Sequence, residues 1–333
     1  MSCSESKTGA PNDYHRGTDR PRARGVFLGT AEFAAMGLLP SIAETHAVDM
    51  PTAGNLVNLY ALGVVVGAPL LTVLTARMEK RKLLMGLALL IVLGNAGSAL
   101  APSFGLNELA RFVAGLPHGA YYGAAGLVAA SLVPREKRTQ AIGHVMLGLD
   151  AANVAGVPLV TWMGQVFGWR SAFGLVAAGG VLLFVLLPLV VPTRPAEKDA
   201  SPLSELSAFG SMQVWLTLAT AAIGFGCMFA VYSYISSTLT EVTRLAEAQV
   251  PWMLALWGLG MVVGNTAGGW LADKSLTRAI LGFFVWTIAT LALFAAVASS
   301  VWLAGLSLFL VGIGFALVPA LQAQLMDAAP RVQ

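Results

Sequence analysis

Ionisable side chains are rare inside the apolar stretches of this sequence, and those that occur there are its candidates for chemistry. Glu32, Arg111, His118, His144 and Asp150 each lie within a long apolar run. A charged group is costly in hydrocarbon, so a carboxyl there must be protonated or paired. A carboxyl that takes up a proton in one conformation and releases it in another performs the minimal chemistry of proton coupling. We therefore predict a proton-coupling or substrate site that includes Glu32, Arg111, His118 and Asp150, and assign no role to His144.

Two of these candidates also have a purely structural interpretation. Arg111 lies near one end of its apolar run, where a long side chain can snorkel to the interface instead of facing a cavity. His118 titrates near neutrality in its ordinary state but can equally be a hydrogen-bonded packing residue. No P-loop, HExxH or paired CxxC pattern occurs, so the sequence carries no signature of ATP binding or of a zinc site. We expect no enzyme, cofactor or metal centre.

The elements that position these residues are predicted to be membrane helices. Hydrophobic residues make up 56% of the chain and charged residues 11%, whereas a soluble domain is about 25% charged. Apolar runs of about 20 residues recur, which is enough to cross ~30 Å of hydrocarbon as a helix. Helices also pair their own backbone groups, as lipid requires. The fold class predicted is an all-α integral membrane protein.

Ten spans are predicted, divided by one long polar connection. Residues 1–24 are polar and are expected to form a disordered tail. The connection at 193–212 separates a six-helix bundle at 25–192 from four helices at 213–333. The predicted spans are 25–43, 52–76, 83–101, 105–131, 140–166, 170–191, 213–239, 250–272, 278–298 and 301–322.

The basic residues predict the orientation. Most of the 20 Lys and Arg residues fall in the tail and in alternate loops, including clusters at 77–82, 135–138 and 274–278. Positive charge is retained on the cytoplasmic side of a membrane, so the tail, the 193–212 linker and these loops are predicted to be cytoplasmic. Because the clusters lie between apolar runs, the net charge of +3 does not indicate a nucleic-acid partner.

An internal repeat relates the two parts of the chain. When the chain is shifted by 197 residues, GVVVG at 63–67 lies on GMVVG at 260–264, and Arg77 lies on Lys274. The same shift places residue 333 on position 136, just after the fourth span. The second repeat is therefore expected to lack its last helix pair, so that six helices are followed by four.

A glycine-rich helix end precedes one of the basic loops. Gly268–Lys274 reads GGWLADK. Its glycines, including Gly269, permit close helix approach. Asp273, beside Lys274, can pair with a basic group or cap a helix at the membrane edge. A charge cluster that only sets topology is the alternative.

The corresponding loop after the second span is degenerate. Ala76 occupies the aspartate position, while Arg77, Lys80 and Arg81 remain. A charge lock built on an aspartate is therefore not expected in this first loop.

The fifth span combines spaced glycines with a proline. Gly148, Gly156 and Gly164 lie eight residues apart, a spacing that keeps them near one helix face as a smooth packing seam. Pro158 removes a backbone hydrogen bond and can kink the helix. Plain helix packing is the alternative to a transport role.

Together with RFVAGLPHG at 111–119, these motifs resemble those of the drug:proton antiporter-1 branch of the major facilitator superfamily. The chain is most similar to the bacterial group of arabinose, purine and chloramphenicol efflux permeases, over residues 25–330. GGWLADK is similar to the superfamily signature GxLADR. The resemblance implies two helical bundles around a central cavity lined by the first and fourth helices, which makes Glu32 the first choice for coupling and Asp150 the second.

The function expected is export of a small molecule in exchange for protons by alternating access, by a monomer in the bacterial inner membrane. The substrate class stays open among drugs, sugars and nucleoside-like molecules. Aromatic residues in the spans at 213–239 and 301–322 either line an apolar cavity or face lipid. The alternatives are an uncoupled facilitator of the same fold and an inactive, truncated transporter. An intramembrane enzyme would require a polar cluster at one depth, which the sequence does not predict.

Overall fold

The computed structural model describes residues 29–134, 145, 147–193 and 207–328. Within these ranges the chain forms helices joined by short turns. The predicted tail at 1–24, His144 and most of the predicted linker at 193–212 lie outside the described residues.

The helices follow one another with short connections. A helical turn at 29–33 and a 3₁₀ turn at Met36–Leu38 lead into the first regular helix. The regular helices are α1 Leu39–His46, α2 Asn55–Thr75, α3 Lys80–Leu100, α4 Phe104–Gly115, α5 His118–Ser131, α6 Val157–Phe167, α7 Trp169–Val190, α8 Met212–Ser233, α9 Val250–Lys274, α10 Leu276–Val297, α11 Val301–Ile313 and α12 Leu317–Ala328.

Seven helical stretches of the described chain are long and apolar enough to cross a membrane. The prediction of ten spans is therefore not confirmed. Within the described residues, the predicted first, fourth and fifth spans are helical but interrupted. The interruptions are the Met36–Leu38 turn, Leu116 and Pro117 between α4 and α5, and a π turn at Ala152–Gly156. The seven stretches are Met50–Thr75, Lys80–Leu100, Trp169–Val190, Met212–Ser233, Glu247–Lys274, Leu276–Val297 and Val301–Leu325.

The internal repeat is present in the packing of the helices. A Cβ atom at Gly63 of α2 would overlap the carbonyl oxygen of Phe112 in α4, and one at Gly260 of α9 would overlap that of Phe309 in α11. Both members of the second pair lie 197 residues after those of the first. The same relation joins the next glycines and their partners, Gly67 with Leu116 and Gly264 with Ile313. The glycines bring these backbones into contact in both halves, as the sequence repeat predicts.

The two halves share buried apolar contacts over only part of their length. We call the end that carries Arg77 and Lys274 the basic end. There, one apolar cluster includes Leu84 and Leu187 and belongs to the first half, while another includes Phe283 and Leu321 and belongs to the second. Neither contains residues of the other half. The halves join in a third cluster, in the middle and at the opposite end, where first-half residues such as Phe33 pack among those of the second half.

One helix face that is buried in the first half is exposed in the second. Leu84 of α3 is 2% exposed and lies in one buried cluster with Leu183 and Leu187 of α7. Its counterpart in α10, Leu281, is 62% exposed. The next two counterparts on this face, Val285 and Ile288, are also exposed. Within the described chain, α10 therefore has no helix in the place that α7 takes beside α3.

Candidate functional site

Four side chains of the first half meet between its helices, and we call them the polar cluster. They are Glu32, Tyr60, Arg111 and His118. His118 Nε2 lies 3.6 Å from Glu32 Oε2, and the Tyr60 hydroxyl lies 3.0 Å from His118 Nδ1. Arg111 and His118 lie on either side of the interruption at Leu116 and Pro117, and both contact Tyr60. Three of the four residues predicted as one site thus come together, joined by Tyr60, which sequence reasoning missed.

Arg111 is enclosed in the protein and does not snorkel. Its side chain is fully buried. Nη1 donates a hydrogen bond to the Ala31 carbonyl at 3.0 Å and Nη2 donates to the Glu32 carbonyl at 3.5 Å. The guanidinium carbon lies 4.3 Å from the centre of the Tyr60 ring and 5.4 Å from that of Phe173, within the range of cation–π attraction. A fixed positive charge is therefore held against the backbone of Glu32.

The histidine lies between a carboxyl and a phenol. A neutral imidazole carries one donor and one acceptor nitrogen. With the proton on Nε2, the ring presents a donor to Glu32 and accepts a hydrogen bond from Tyr60 at Nδ1. At 3.6 Å, the contact between His118 and Glu32 is longer than a hydrogen bond. It is within the range of an ion pair when the imidazole is protonated. Glu32 is 20% and His118 13% exposed in their side chains, so the pair can exchange a proton with water.

Asp150 lies apart from the polar cluster, at the contact between the two halves. Asn265 of α9 donates a hydrogen bond from Nδ2 to Asp150 Oδ1 at 2.6 Å, and Asp150 is 5% exposed. Asn153 lies three residues after Asp150, in the π turn, and a Cβ atom at Gly258 of α9 would overlap its backbone. A π turn widens the helix locally and often marks a functional position. Asp150 is thus placed to join the two halves.

We expect the Asp150–Asn265 hydrogen bond to contribute to the cohesion of the two halves. In a double-mutant cycle on Asp150→Ala and Asn265→Ala, the coupling in the free energy of unfolding should be about 1.5–3 kcal/mol if the carboxyl is ionised, and about 1 kcal/mol if it is neutral. The measurement is a denaturant titration in detergent. Pairing Asp150→Ala with Thr266→Ala is the control, since Thr266 is exposed and bonds its own helix at Val262. Zero coupling in the first cycle would contradict the bond.

Two glycines of the fifth predicted span pack against the described part of the first predicted span. A Cβ atom at Gly156 would overlap the Thr30 side chain, and one at Gly164 would lie 2.6 Å from the Leu38 side chain. Gly148 is buried. Pro158 is the second residue of α6, directly after the π turn. The seam therefore lies against the helical segment that carries Glu32.

The basic-end residues are arranged differently from the charge lock that the motif implies. Within the described residues, Asp273 is exposed and forms no ion pair. Lys274 Nζ lies 3.4 Å from the centre of the Trp270 ring. A Cβ atom at Gly269 would meet open space, whereas one at Gly268 would overlap the backbone of Ala316. Close helix approach is thus provided by Gly268.

In the first-half loop, Arg81 Nη1 donates a hydrogen bond to Thr193 Oγ1 at 2.9 Å, at the end of the first half. Arg77 is exposed and Lys80 begins α3. These three basic residues lie at the same end of the molecule as Lys274.

The repeat places aromatic residues in the second half where the first half has the polar cluster. Phe229 and Phe315 have ring centres 6.3 Å apart, and Trp257 and Phe315 have ring centres 6.1 Å apart. At a shift of 197 residues, the counterparts of Glu32, Tyr60, Arg111 and His118 are Phe229, Trp257, Leu308 and Phe315. The two aromatic pairs therefore occupy the positions of the Glu32–His118 and Tyr60–His118 pairs. We call these four residues the aromatic counterpart.

Comparison with known proteins gives concordant matches. The model of the family described as Major Facilitator Superfamily matches residues 25–333. The inner membrane transport protein YdhP of Escherichia coli K12 is 39% identical over 309 residues, which are 92% of this chain and 79% of that protein. The chloramphenicol resistance protein of Streptomyces lividans is 32% identical over 253 residues, 74% of this chain and 64% of that protein.

Among solved structures, the chain is similar to a bacterial homologue of the human lysosomal transporter Spinster, crystallised in an inward-facing and unoccupied conformation. The TM-score is 0.76 and the sequence identity 18%, with 95% of this chain and 76% of that chain covered. At this identity the similarity concerns the fold.

Proposed function

The chain belongs to the Major Facilitator Superfamily of membrane transporters, and from that premise we propose that it exports a small molecule across the bacterial inner membrane in exchange for protons, as a monomer. The family's members are transporters, not enzymes. The resemblance to the drug:proton antiporter-1 group, which includes efflux permeases, supports the direction of transport.

The observation that carries the proposal is the contact between Glu32 and His118. Two titratable groups lie 3.6 Å apart, partly accessible, at a depth where an unpaired charge is costly. Arg111, held on the carbonyls of Ala31 and Glu32, lowers the cost of ionising Glu32 in this arrangement. A movement that separates Glu32 from either partner changes the cost of its charge, and so converts a conformational change into proton uptake or release.

The packing of the two halves supports alternating access. The halves share an apolar core in the middle and at one end, and have separate cores at the basic end. Placing the basic end in the cytoplasm, as the charge rule favours, makes this a state closed to the outside. Rocking of the two halves would exchange these contacts, with the Asp150–Asn265 bond among those that hold the present state.

The second half offers the apolar side of a substrate site. The aromatic counterpart supplies rings and few hydrogen-bonding groups, whereas the polar cluster supplies ionisable groups. A molecule held between the halves would meet both. This favours a substrate with an aromatic or apolar body over a sugar, whose several hydroxyl groups would find few partners among these four residues.

The test is proton exchange in reconstituted vesicles. Purified protein is placed in liposomes with an acidic interior and a trapped pH-sensitive dye, and chloramphenicol, an aromatic cation, a nucleoside and a pentose are added in turn. Each exchanged compound should discharge the gradient, and it should accumulate inside only while the gradient exists. Equal uptake with and without a gradient would identify an uncoupled facilitator, and no uptake of any compound would leave the transport proposal without support.

A further inference from the structure

A groove at the basic end lies between the end of α9 and the beginning of α10. Its volume is about 450 Å³, within the range of small-molecule sites. It belongs wholly to the second half and lies outside both the polar cluster and the aromatic counterpart. No transport role of the residues described above accounts for it.

The mouth of the groove is cationic. Lys274, Ser275 and Arg278 line it, and Asp273 does not. Lys274 and Arg278 are both exposed, and within the described chain neither forms an ion pair with a carboxylate. The lining thus combines two cations with a hydroxyl group, and all three can donate hydrogen bonds to the oxygen atoms of a phosphate group.

The floor of the groove is apolar and aromatic. Leu271, Phe283 and Trp286 form it, with Gly282 between them. The Trp286 indole nitrogen donates a hydrogen bond to the Leu310 carbonyl at 2.9 Å, which fixes this wall to α11. A Cβ atom at Gly282 would meet nothing within 4 Å, so the glycine keeps the space open. The groove is therefore amphipathic, charged at the membrane edge and apolar along the helix.

A second groove provides a contrast. It lies at the opposite end of α9, between Gln249 and Phe309, and has a similar volume of about 470 Å³. Its described lining residues include Trp252, Trp302 and several aliphatic residues but no Lys or Arg. Charge thus distinguishes the groove at the basic end from an ordinary lipid-facing depression.

We propose that the groove at the basic end binds one anionic phospholipid, with the phosphate at Lys274 and Arg278 and an acyl chain along Leu271 and Trp286. Charge complementarity carries the choice of occupant, because basic pockets between membrane helices select anionic head groups. Lys274 also packs on the Trp270 ring, the kind of aromatic residue that anchors at the interface.

The test is lipid retention by the full chain. Protein purified in detergent is mixed with phosphatidylglycerol or phosphatidylcholine, and bound lipid is counted by native mass spectrometry. We expect one phosphatidylglycerol to be retained in preference to phosphatidylcholine. The double variant Lys274→Gln/Arg278→Gln should bind it roughly 30-fold more weakly, the factor that follows from removing two interfacial cations.

Two further variants separate the groove from general surface charge. Gly282→Leu should lose the lipid while keeping both cations, because its side chain would fill the floor. Lys80→Gln/Lys82→Gln removes two cations from the same end of the molecule but outside the groove, and should retain the lipid. Equal retention of both lipids, wild-type retention by Lys274→Gln/Arg278→Gln, or displacement by millimolar inorganic phosphate would each overturn the proposal. The assay measures no transport, so its outcome is independent of the proposed export.

Discussion

Replacing Glu32 by Gln should abolish proton-driven export. The amide keeps the shape of the side chain but cannot exchange a proton with His118 or with water. We expect the rate of gradient-driven uptake in acid-loaded vesicles to fall by about 100-fold or more, as when a positioned proton-transfer group is removed. Downhill exchange of the same compound, with no pH gradient, should be reduced far less because the fold and the substrate side of the site remain.

Glu44→Gln provides the matched control. Glu44 lies in α1, twelve residues beyond Glu32, and is exposed. Its loss should leave both rates unchanged. If Glu32→Gln retained gradient-driven uptake at the wild-type rate, Glu32 would have no part in coupling and Asp150 would be the next candidate.

Replacing Arg111 should have the largest effect on stability. Arg111→Met keeps most of the side-chain volume but removes the hydrogen bonds to Ala31 and Glu32 and the contact with the Tyr60 ring. Buried hydrogen bonds from a charged donor contribute about 1.5–3 kcal/mol and a desolvated cation–π contact about 2 kcal/mol. We expect the free energy of unfolding, measured by denaturant titration in detergent, to fall by roughly 3–5 kcal/mol.

Arg170 offers a control with the same kinds of contact on the surface. It donates to the Ala101 carbonyl at 2.9 Å and lies 4.3 Å from the centre of the Trp169 ring, but it is exposed. Arg170→Met should cost about 1 kcal/mol or less. Arg111→Lys should not restore stability, because an ammonium group lacks the planar fork. Equal losses at the two positions would mean that burial of Arg111 contributes nothing.

The sequence predicted the helical class and the repeat because both depend on regular patterns. The shift that aligns the two glycine pairs in the sequence also relates their contacts with Phe112 and Phe309. The count of ten spans is not confirmed, because an apolar stretch has the same sequence pattern whether its helix is continuous or interrupted. Pro117 marks the interruption between α4 and α5, and Pro158 follows directly after the π turn at Ala152–Gly156, but a proline predicts a kink without saying whether the helix is interrupted.

The site was predicted in part, for a physical reason. Glu32 and His118 stand out because charge is rare in apolar runs, and they meet in the fold. Tyr60 does not stand out, since a tyrosine in an apolar helix resembles an ordinary packing residue. Its role depends on a hydrogen bond to a residue 58 positions away. Asn265 was missed in the same way, because only the packing of α9 brings it to Asp150.

The unequal halves of the repeat bear on the energetics of transport. Within the described chain, Glu32 has no acidic twin, because its counterpart is Phe229. Under the proposed function, a cluster with one exchangeable carboxyl would move one proton per cycle, so that exchange for a neutral molecule would transfer one net charge and be electrogenic. The membrane voltage then adds about 2.3 kcal/mol per 100 mV to the driving force. The difference between the two copies of the repeat would thus set the proton stoichiometry of the proposed exchange.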